Sequence, residues 1–333
     1  MYVGPTERLP TAGPSWVIDA HHSGVGAGTT GATGAARWRM RRAELPAVAP
    51  ALLKVFDEIL VNAADNHQRH PGSCDRIDVV IRRGDAAAAV ADAADAAPFV
   101  SVANNGRAVP VRMHRKEGMY VPELLFGHLL TGSNFDDDAK RLTGGRHGYG
   151  AKLANVFSRE FAVEIRDARG KGPCRTYRQV WRDNMRACDA PDIATADSAD
   201  GAADAEDFTT KVSFVPDVAR LTGDPAATVL PEEEYMLMCR RVVDVAGCTG
   251  GKLAVTLNGE AVDVADFRSY VDLHRHAPDG APPPPPVVYR RLNKRWEVAV
   301  GVSDARQALE HLSFVNGMHT SRGGTVSLLR WLR

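Results

Sequence analysis

The sequence predicts an α+β fold, and three observations carry the prediction. Residues 51–66 hold an apolar stripe at helical spacing, made by Leu52, Phe56, Ile59, Leu60 and Ala63. Extended segments near 76–82 and 99–103, and again near 161–166 and 174–181, read as antiparallel strand pairs. Further helices are expected near 121–130, 150–157 and 232–246, interspersed with strands near 210–214 and 252–257.

Each element has a local cause. Residues 19–44 are rich in Gly, Thr and Ala and read as loop, with a short strand at the basic cluster Trp38–Arg42. Pro46 and Pro50 open the first helix, and His70-Pro71-Gly72 closes it. An Ala/Asp-rich insertion at 84–97 connects the first two strands, and a second at 187–207 reads as a disordered surface insertion. Thr131 to Gly150 is a long, polar, glycine-rich loop, a length that is usually functional or disordered. Asn258-Gly259 ends the strand at 252–257. Five consecutive prolines, Pro282–Pro286, form a stiff linker. We therefore divide the chain into a domain at 1–276, a linker at 277–286 and a second unit at 287–333 with strands near 296–302 and 312–316. That last unit is too short to bury much core alone. No internal repeat is present.

Composition excludes several classes. The 333 residues, 44% hydrophobic and 25% charged, have the make-up of an ordinary globular protein. Lys+Arg and Asp+Glu both number 41, which argues against an autonomous, strongly basic DNA-coating protein. The five cysteines are odd in number and form no CxxC pair, so a disulfide framework or zinc site is not expected. No apolar run is long enough to span a membrane, and MYVGPTERLP lacks the features of a signal peptide. These features together imply an intracellular protein with no membrane partner.

Two segments carry chemistry. In FDEILVNAADN, residues 56–66, Glu58, Asn62 and Asn66 lie one turn apart on one helix face. An Asn carbonyl oxygen is a hard donor suited to Mg²⁺, and a carboxylate one turn away can take a proton from water. The same pattern also fits an ordinary amphipathic helix. GGRHGYGAK, residues 144–152, offers backbone N–H groups, the cations Arg146 and Lys152, and a helix start at Gly150, all suited to phosphate. It is not a Walker loop, because Ala151 precedes Lys152 and Leu153 follows it; a ligand-free glycine loop is the alternative. Asn104-Asn105-Gly106 ends a strand, and is either a simple turn or a side chain held to read a base edge. The basic cluster reads as a solvated strand edge, and His274 and His276 as surface residues. No nucleophile motif or metal-ligand spacing stands out.

These motifs, in this order, resemble the ATPase region of eukaryotic-type (type IIA) DNA topoisomerase II, within the gyrase, Hsp90, histidine kinase and MutL superfamily. The resemblance extends through MYVG (1–4), NNGRAVPV (104–111), YVPELLFGHLLTGSNFDDD (120–138), TGGRHGYGAKLANVFS (143–158), FRSYVD (267–272) and SFVNGMHTSRGG (313–324). It implies a two-layer α/β sandwich (Bergerat fold) followed by the truncated start of a transducer domain. It also implies ATP and Mg²⁺ as cofactors and a place in DNA strand passage.

By resemblance, Glu58 is the general base and Asn62 the Mg²⁺ ligand. Asn66 meets the nucleotide, Asn104 reads the adenine amino group, and Ser133 and Asn134 bind ribose and phosphate. Arg146, His147, Gly148, Tyr149, Gly150, Ala151 and Lys152 form the triphosphate lid, with Lys152 also assigned to catalysis. His147 stands where the family usually carries Asn, and Gly132 where Ser is common. An upstream strap, the transducer lysine and the DNA-cleavage tyrosine are expected outside this chain. Double-stranded DNA is the implied partner through the full enzyme, with an ATP-bound homodimer. The expected location is nuclear or cytoplasmic, in the host if the source is viral. The alternative function is a truncated or degenerate paralogue that binds nucleotide or a partner without topoisomerase activity.

Overall fold

The computed structural model describes residues 3–11, 14–18, 38–85, 96–128, 149–168, 173–196, 208–275, 284–293, 296–302 and 311–320. Its centre is a nine-stranded mixed sheet. Five strands occupy the middle: β5 (Arg76–Arg82), β6 (Phe99–Asn104), β7 (Ser158–Asp167), β8 (Cys174–Arg182) and β11 (Thr210–Pro216). They run in the order β8-β7-β11-β6-β5, every neighbour antiparallel. At one margin β12 (Ala254–Leu257) pairs parallel with β5 and antiparallel with β13 (Glu260–Ala261).

At the other margin β9 (Ala187–Cys188) and β10 (Asp192–Ala196) pair with β8. The start of the second Ala/Asp-rich segment is therefore ordered strand, which corrects the expectation of a disordered insertion over 187–207. These edge strands are largely exposed, with Ile193 partly buried, and so need few large apolar residues; composition therefore hid them. Residues 197–207 lie outside the described residues.

Register explains which face carries helices. Because side chains alternate with period two, one row across the sheet reads Val79, Val102, Val212 and Val163, and the next reads Ile81, Val100, Phe214 and Phe161. All eight are buried. On this face lie α1 (Pro50–Arg69), α3 (Gly150–Val156) and α5 (Glu232–Thr249), with α2 (Val121–Gly127), α4 (Val218–Thr222) and α6 (Phe267–Asp272) around them.

Helix α1 runs further than expected at its C-terminal end, with Pro50 at its first position. It closes where the His70 N–H donates to Asn66 O at 2.9 Å, just before Pro71. Leu52, Val55, Phe56, Ile59 and Leu60 face inward, and each such buried side chain contributes about 1.5–3 kcal/mol of transfer free energy. Helix α2 stops at Gly127, short of the expected 130. Helix α6 is fixed by a capping box: the Ser269 N–H donates to Asp266 Oδ1 at 2.7 Å, and the Asp266 N–H donates to Ser269 Oγ at 2.9 Å.

Of the N-terminal stretch read as loop, residues 19–37 lie outside the described residues, and the strand expected at the basic cluster is β3 (Met40–Ala43). β2 (Ser15–Ile18) pairs with β3, so only alternate members of the basic cluster face outward. Met40 is buried and Arg41 exposed, while Trp38 donates to Ala261 O at 2.7 Å. β1 (Leu9–Pro10) pairs with β4 (Ala47–Val48). Buried Glu234 on α5 holds this ribbon, accepting from the Ala49 N–H at 2.7 Å and from Arg8 Nε at 3.1 Å. Two further hairpins follow the sandwich: β14 (Val287–Asn293) with β15 (Trp296–Gly301), and β16 (Phe314–Val315) with β17 (Met318–His319). β14 was not expected from the sequence.

All five cysteines are free thiols. His274 is not a surface residue as expected. It sits between Trp16 and Tyr270, with ring centroids at 5.0 and 4.9 Å, and its Nδ1 bonds Tyr270 O at 3.0 Å. His276 lies outside the described residues. Burial holds His274 and His319 well below the ordinary imidazole range, each at about 4. Folded-state pKa values below the unfolded 6.5 mean that both rings are neutral in the fold and that acid charges the unfolded chain first. We expect the thermal midpoint to hold above about pH 6.5 and to fall as the pH drops from there towards about 4. Scanning fluorimetry across that range checks this, and a flat profile between those limits counts against neutral burial of the two rings.

Candidate functional site

The site begins with a polar residue at the end of an apolar row. Val100, Val102 and Asn104 share one face of β6, and register places Asn104 beside Ile77 and Thr210, with Ile165 and Tyr177 beyond. Asn104 therefore points into the helix layer and is buried. There it meets Asn66 of α1, whose Nδ2 donates to Asn104 Oδ1 at 3.1 Å and to Arg107 O at 3.0 Å. Asn66 Oδ1 in turn accepts from the Arg107 N–H at 3.1 Å. The whole carboxamide is thus committed to the strand-end turn.

Gly106 makes that approach possible. A Cβ there would fall 2.6 Å from Asn66 Cγ, far inside contact distance. The Gly106 N–H also donates to Asn104 Oδ1 at 3.1 Å, so both lone pairs of that oxygen are occupied. Thr209, just before β11, supports the turn: its N–H donates to Asn104 O at 2.9 Å, and its hydroxyl donates to Gly106 O at 2.6 Å. Thr209 was not singled out in the sequence, where Thr209-Thr210 before a strand carries no distinctive signal. Asn105 has a structural task, accepting from the Asp75 and Arg76 N–H groups at 3.1 and 3.0 Å.

Glu58, Asn62 and Asn66 line α1 as spacing requires, in a polar strip about 12 Å long. Glu58 and Asn66 are half-buried and Asn62 is exposed. Glu58 forms an i,i+4 ion pair with Lys54. The N-terminus of α3 abuts the same carboxylate: a Cβ on Gly150 would lie 2.6 Å from Glu58 Cδ. The structure thus brings the C-terminal end of the glycine segment, where α3 begins, onto the acid. Among the described residues no cluster of His, Cys, Asp or Glu could hold a metal. A hard cation here would take Asn62 Oδ1 as its protein ligand and draw the rest of its shell from phosphate and water.

Tyr149, Gly150, Ala151 and Lys152 open α3, and the Tyr149 carbonyl accepts from the Leu153 N–H at 2.9 Å. Lys152 is almost fully buried, and desolvation holds its ammonium below the ordinary lysine range. Asn155 anchors α3 to α2, its Nδ2 donating to Phe126 O at 3.1 Å. Ser133, Asn134, Arg146, His147 and Gly148 lie outside the described residues.

No family model matches the chain. Individual proteins do. It is 41% identical over 278 residues to DNA topoisomerase 2 of Arabidopsis thaliana, covering 83% of this chain and 17% of that protein. It is 39% identical over 290 residues to DNA topoisomerase 2 of Saccharomyces cerevisiae, covering 84% and 18%. The crystal structure of the ATPase region of S. cerevisiae topoisomerase II matches with a TM-score of 0.74 and 35% identity, over 96% of this chain and 71% of that one. The ATPase and transducer domains of DNA topoisomerase II from Balamuthia mandrillaris match with a TM-score of 0.74 and 38% identity, over 96% and 68%.

A mixed sheet with helices on one face, and an acid–amide helix laid against a strand-end asparagine, define a Bergerat-type α/β sandwich. The chain belongs to the DNA topoisomerase 2 family and corresponds to its ATPase region. It spans less than a fifth of the length of the curated relatives, 17% and 18% of the two named here.

Proposed function

We propose that this chain is the ATP-binding and hydrolysing module of a type II DNA topoisomerase, coupling nucleotide turnover to passage of double-stranded DNA. The observation that carries the reading is the strip Glu58–Asn62–Asn66, locked at its far end to Asn104, Gly106 and Arg107. It offers an acid and an exposed amide oxygen along one helix, with a base-edge reader, Asn104 of β6, held at the strip's far end by Asn66.

In this reading Glu58 accepts the proton of the attacking water. To do so it exchanges Lys54 for water, an inexpensive step because i,i+4 helix pairs contribute only about 0.3–0.5 kcal/mol. A Mg²⁺ ion beside Asn62 Oδ1 would neutralise triphosphate charge. Asn104 meets adenine, and its Oδ1 exchanges a protein donor, Asn66 Nδ2 or the Gly106 N–H, for the base amino group. Ser133 and Asn134 hold ribose and phosphate, and Arg146, His147, Gly148, Tyr149, Gly150 and Ala151 close over the triphosphate. Lys152, inside α3, acts on phosphate only when the lid segment moves, because its ammonium is buried here.

The ATP-bound form is a homodimer within the longer protein, and DNA is engaged through that protein. No described helix is long and apolar enough to cross a membrane. We assign the module to the nucleus or cytoplasm.

ATP titration by calorimetry, with and without Mg²⁺ and alongside Asn62→Ala, tests the reading. We expect Mg²⁺-dependent binding in the parent and its loss in the variant. Equal affinity in all four measurements would remove Asn62 from the metal role. Absence of ATP binding by the parent would remove the nucleotide function itself.

A further inference from the structure

Against the inner side of α1 lies a group of charges that the nucleotide site does not use. Arg240, Arg241 and Asp244 project from α5 and are buried. The Arg241 guanidinium works as a fork. Its Nε donates to Asp57 Oδ1 at 2.6 Å, and its Nη2 donates to Gly317 O in the turn of the β16–β17 hairpin. That turn needs left-handed backbone, with φ of 51° at Asn316 and 74° at Gly317, which aims the Gly317 carbonyl at the fork.

Arg240 repeats the pattern one residue earlier. Its Nη1 donates to Trp16 O at 3.0 Å, and its Nη2 lies 3.4 Å from His319 Nε2 in the same hairpin. Asp244 stands 3.6 Å from Arg240 Nε and accepts from the Tyr270 hydroxyl at 2.7 Å. Phe314 of the hairpin packs edge-on to Tyr270, with centroids at 5.9 Å.

Such a cluster is a costly way to hold two elements together. Desolvating a charge is expensive, and well-packed apolar residues of the same volume usually stabilise at least as well. Here Arg241 Nη1 and Asp244 Oδ2 are buried without hydrogen-bond partners, so the network is not optimised for stability. What a charged fork provides that an apolar contact does not is directional registry between the two groups it grips. One of those groups is Asp57, the neighbour of Glu58 on α1, displaced from it by only about 1.5 Å along the helix axis. The other is the backbone of a hairpin that follows the proline stretch in sequence.

We propose that Arg241, through Asp57, is a positioning residue for Glu58, and that it couples the placement of the Ser313–Thr320 hairpin to nucleotide binding. Movement of the hairpin pulls on the fork, the fork turns α1 about its axis, and the Glu58 carboxylate moves relative to the bound phosphates. The inference rests on the nucleotide reading of Glu58 and adds to it a control element outside the nucleotide strip.

The test uses the 333-residue chain, with amide hydrogen exchange over residues 313–320 in the presence and absence of a non-hydrolysable ATP analogue. In the parent, the analogue should slow exchange at Gly317–Thr320. Asp57→Asn and Arg241→Lys should each abolish that difference, lower kcat by about 3- to 30-fold and leave ATP affinity within about twofold. Asp57→Asn keeps side-chain shape and remains informative if Arg241→Lys does not fold. Parent hairpin exchange that is indifferent to bound nucleotide overturns the coupling. Unchanged kcat in a folded Asp57→Asn protein overturns the positioning role, as does an equal loss of affinity and kcat. If the parent fails to bind the analogue in a direct titration, it is the nucleotide reading that fails, and exchange in the hairpin is then not the deciding measurement.

Discussion

Glu58→Gln is expected to abolish measurable ATP turnover while leaving ATP binding intact. The substitution preserves shape and hydrogen-bonding reach but removes the group that can take a proton. A positioned general base contributes about 10²–10⁴-fold to rate, so the loss should exceed assay background by a wide margin. The fold should not suffer. Glu58 lies on the polar side of α1, away from the buried Leu52, Phe56 and Ile59, and the ion pair it surrenders to Lys54 is a weak surface contact. Steady-state hydrolysis and nucleotide calorimetry on the same preparation check both halves. Undiminished turnover in Glu58→Gln would exclude this carboxylate as the base.

Gly150→Ala is expected to cost nearly as much activity by a different route. Two effects compete. Alanine is the better helix former by about 1 kcal/mol, which favours the first turn of α3. Its methyl, however, would lie 2.6 Å from Glu58 Cδ and 2.9 Å from Glu58 Cβ, distances that neither partner tolerates. Either the carboxylate rotates away or α3 retreats by about an ångström, and a misplacement of that size costs about 10²-fold in rate. The expected signature is a kcat reduced about 100-fold with a thermal midpoint close to the parent. If kcat in Gly150→Ala matches the parent, the close approach of α3 to Glu58 is not a feature of the working site.

Much of this architecture was legible because its signals are local. The stripe that makes α1, the alternation in β5, β6, β7, β8 and β11, and the Pro71 stop each depend on residues within one or two turns of each other. Glu58, Asn62 and Asn66 could be placed on one face for the same reason, since helical geometry needs no tertiary contact to line them up. Where the signal was weak, the reading failed. Asp192–Ala196 pairs as an edge strand although its composition resembles the low-complexity tract that follows. Ser15–Ile18 and Val287–Asn293 are strands whose partners had to be in place before they could be recognised. His274, a polar residue near the end of a helix, is enclosed by Trp16 from a strand about 260 positions away in sequence.

Local signals in the chain are enough for the polar strip on α1, the glycine start of α3, and the asparagine closing β6. Each depends only on backbone periodicity and residue chemistry. Tertiary structure alone decided what those parts do to one another. Strand register turned Asn104 toward the helix layer, and the missing Cβ of Gly106 let Asn66 reach it. Helix packing buried Lys152, set Gly150 against Glu58, and closed the Arg241 fork between Asp57 and Gly317. These contacts join residues far apart in the chain, through distances that periodicity does not encode, so they exist only once the sheet and its helices are assembled.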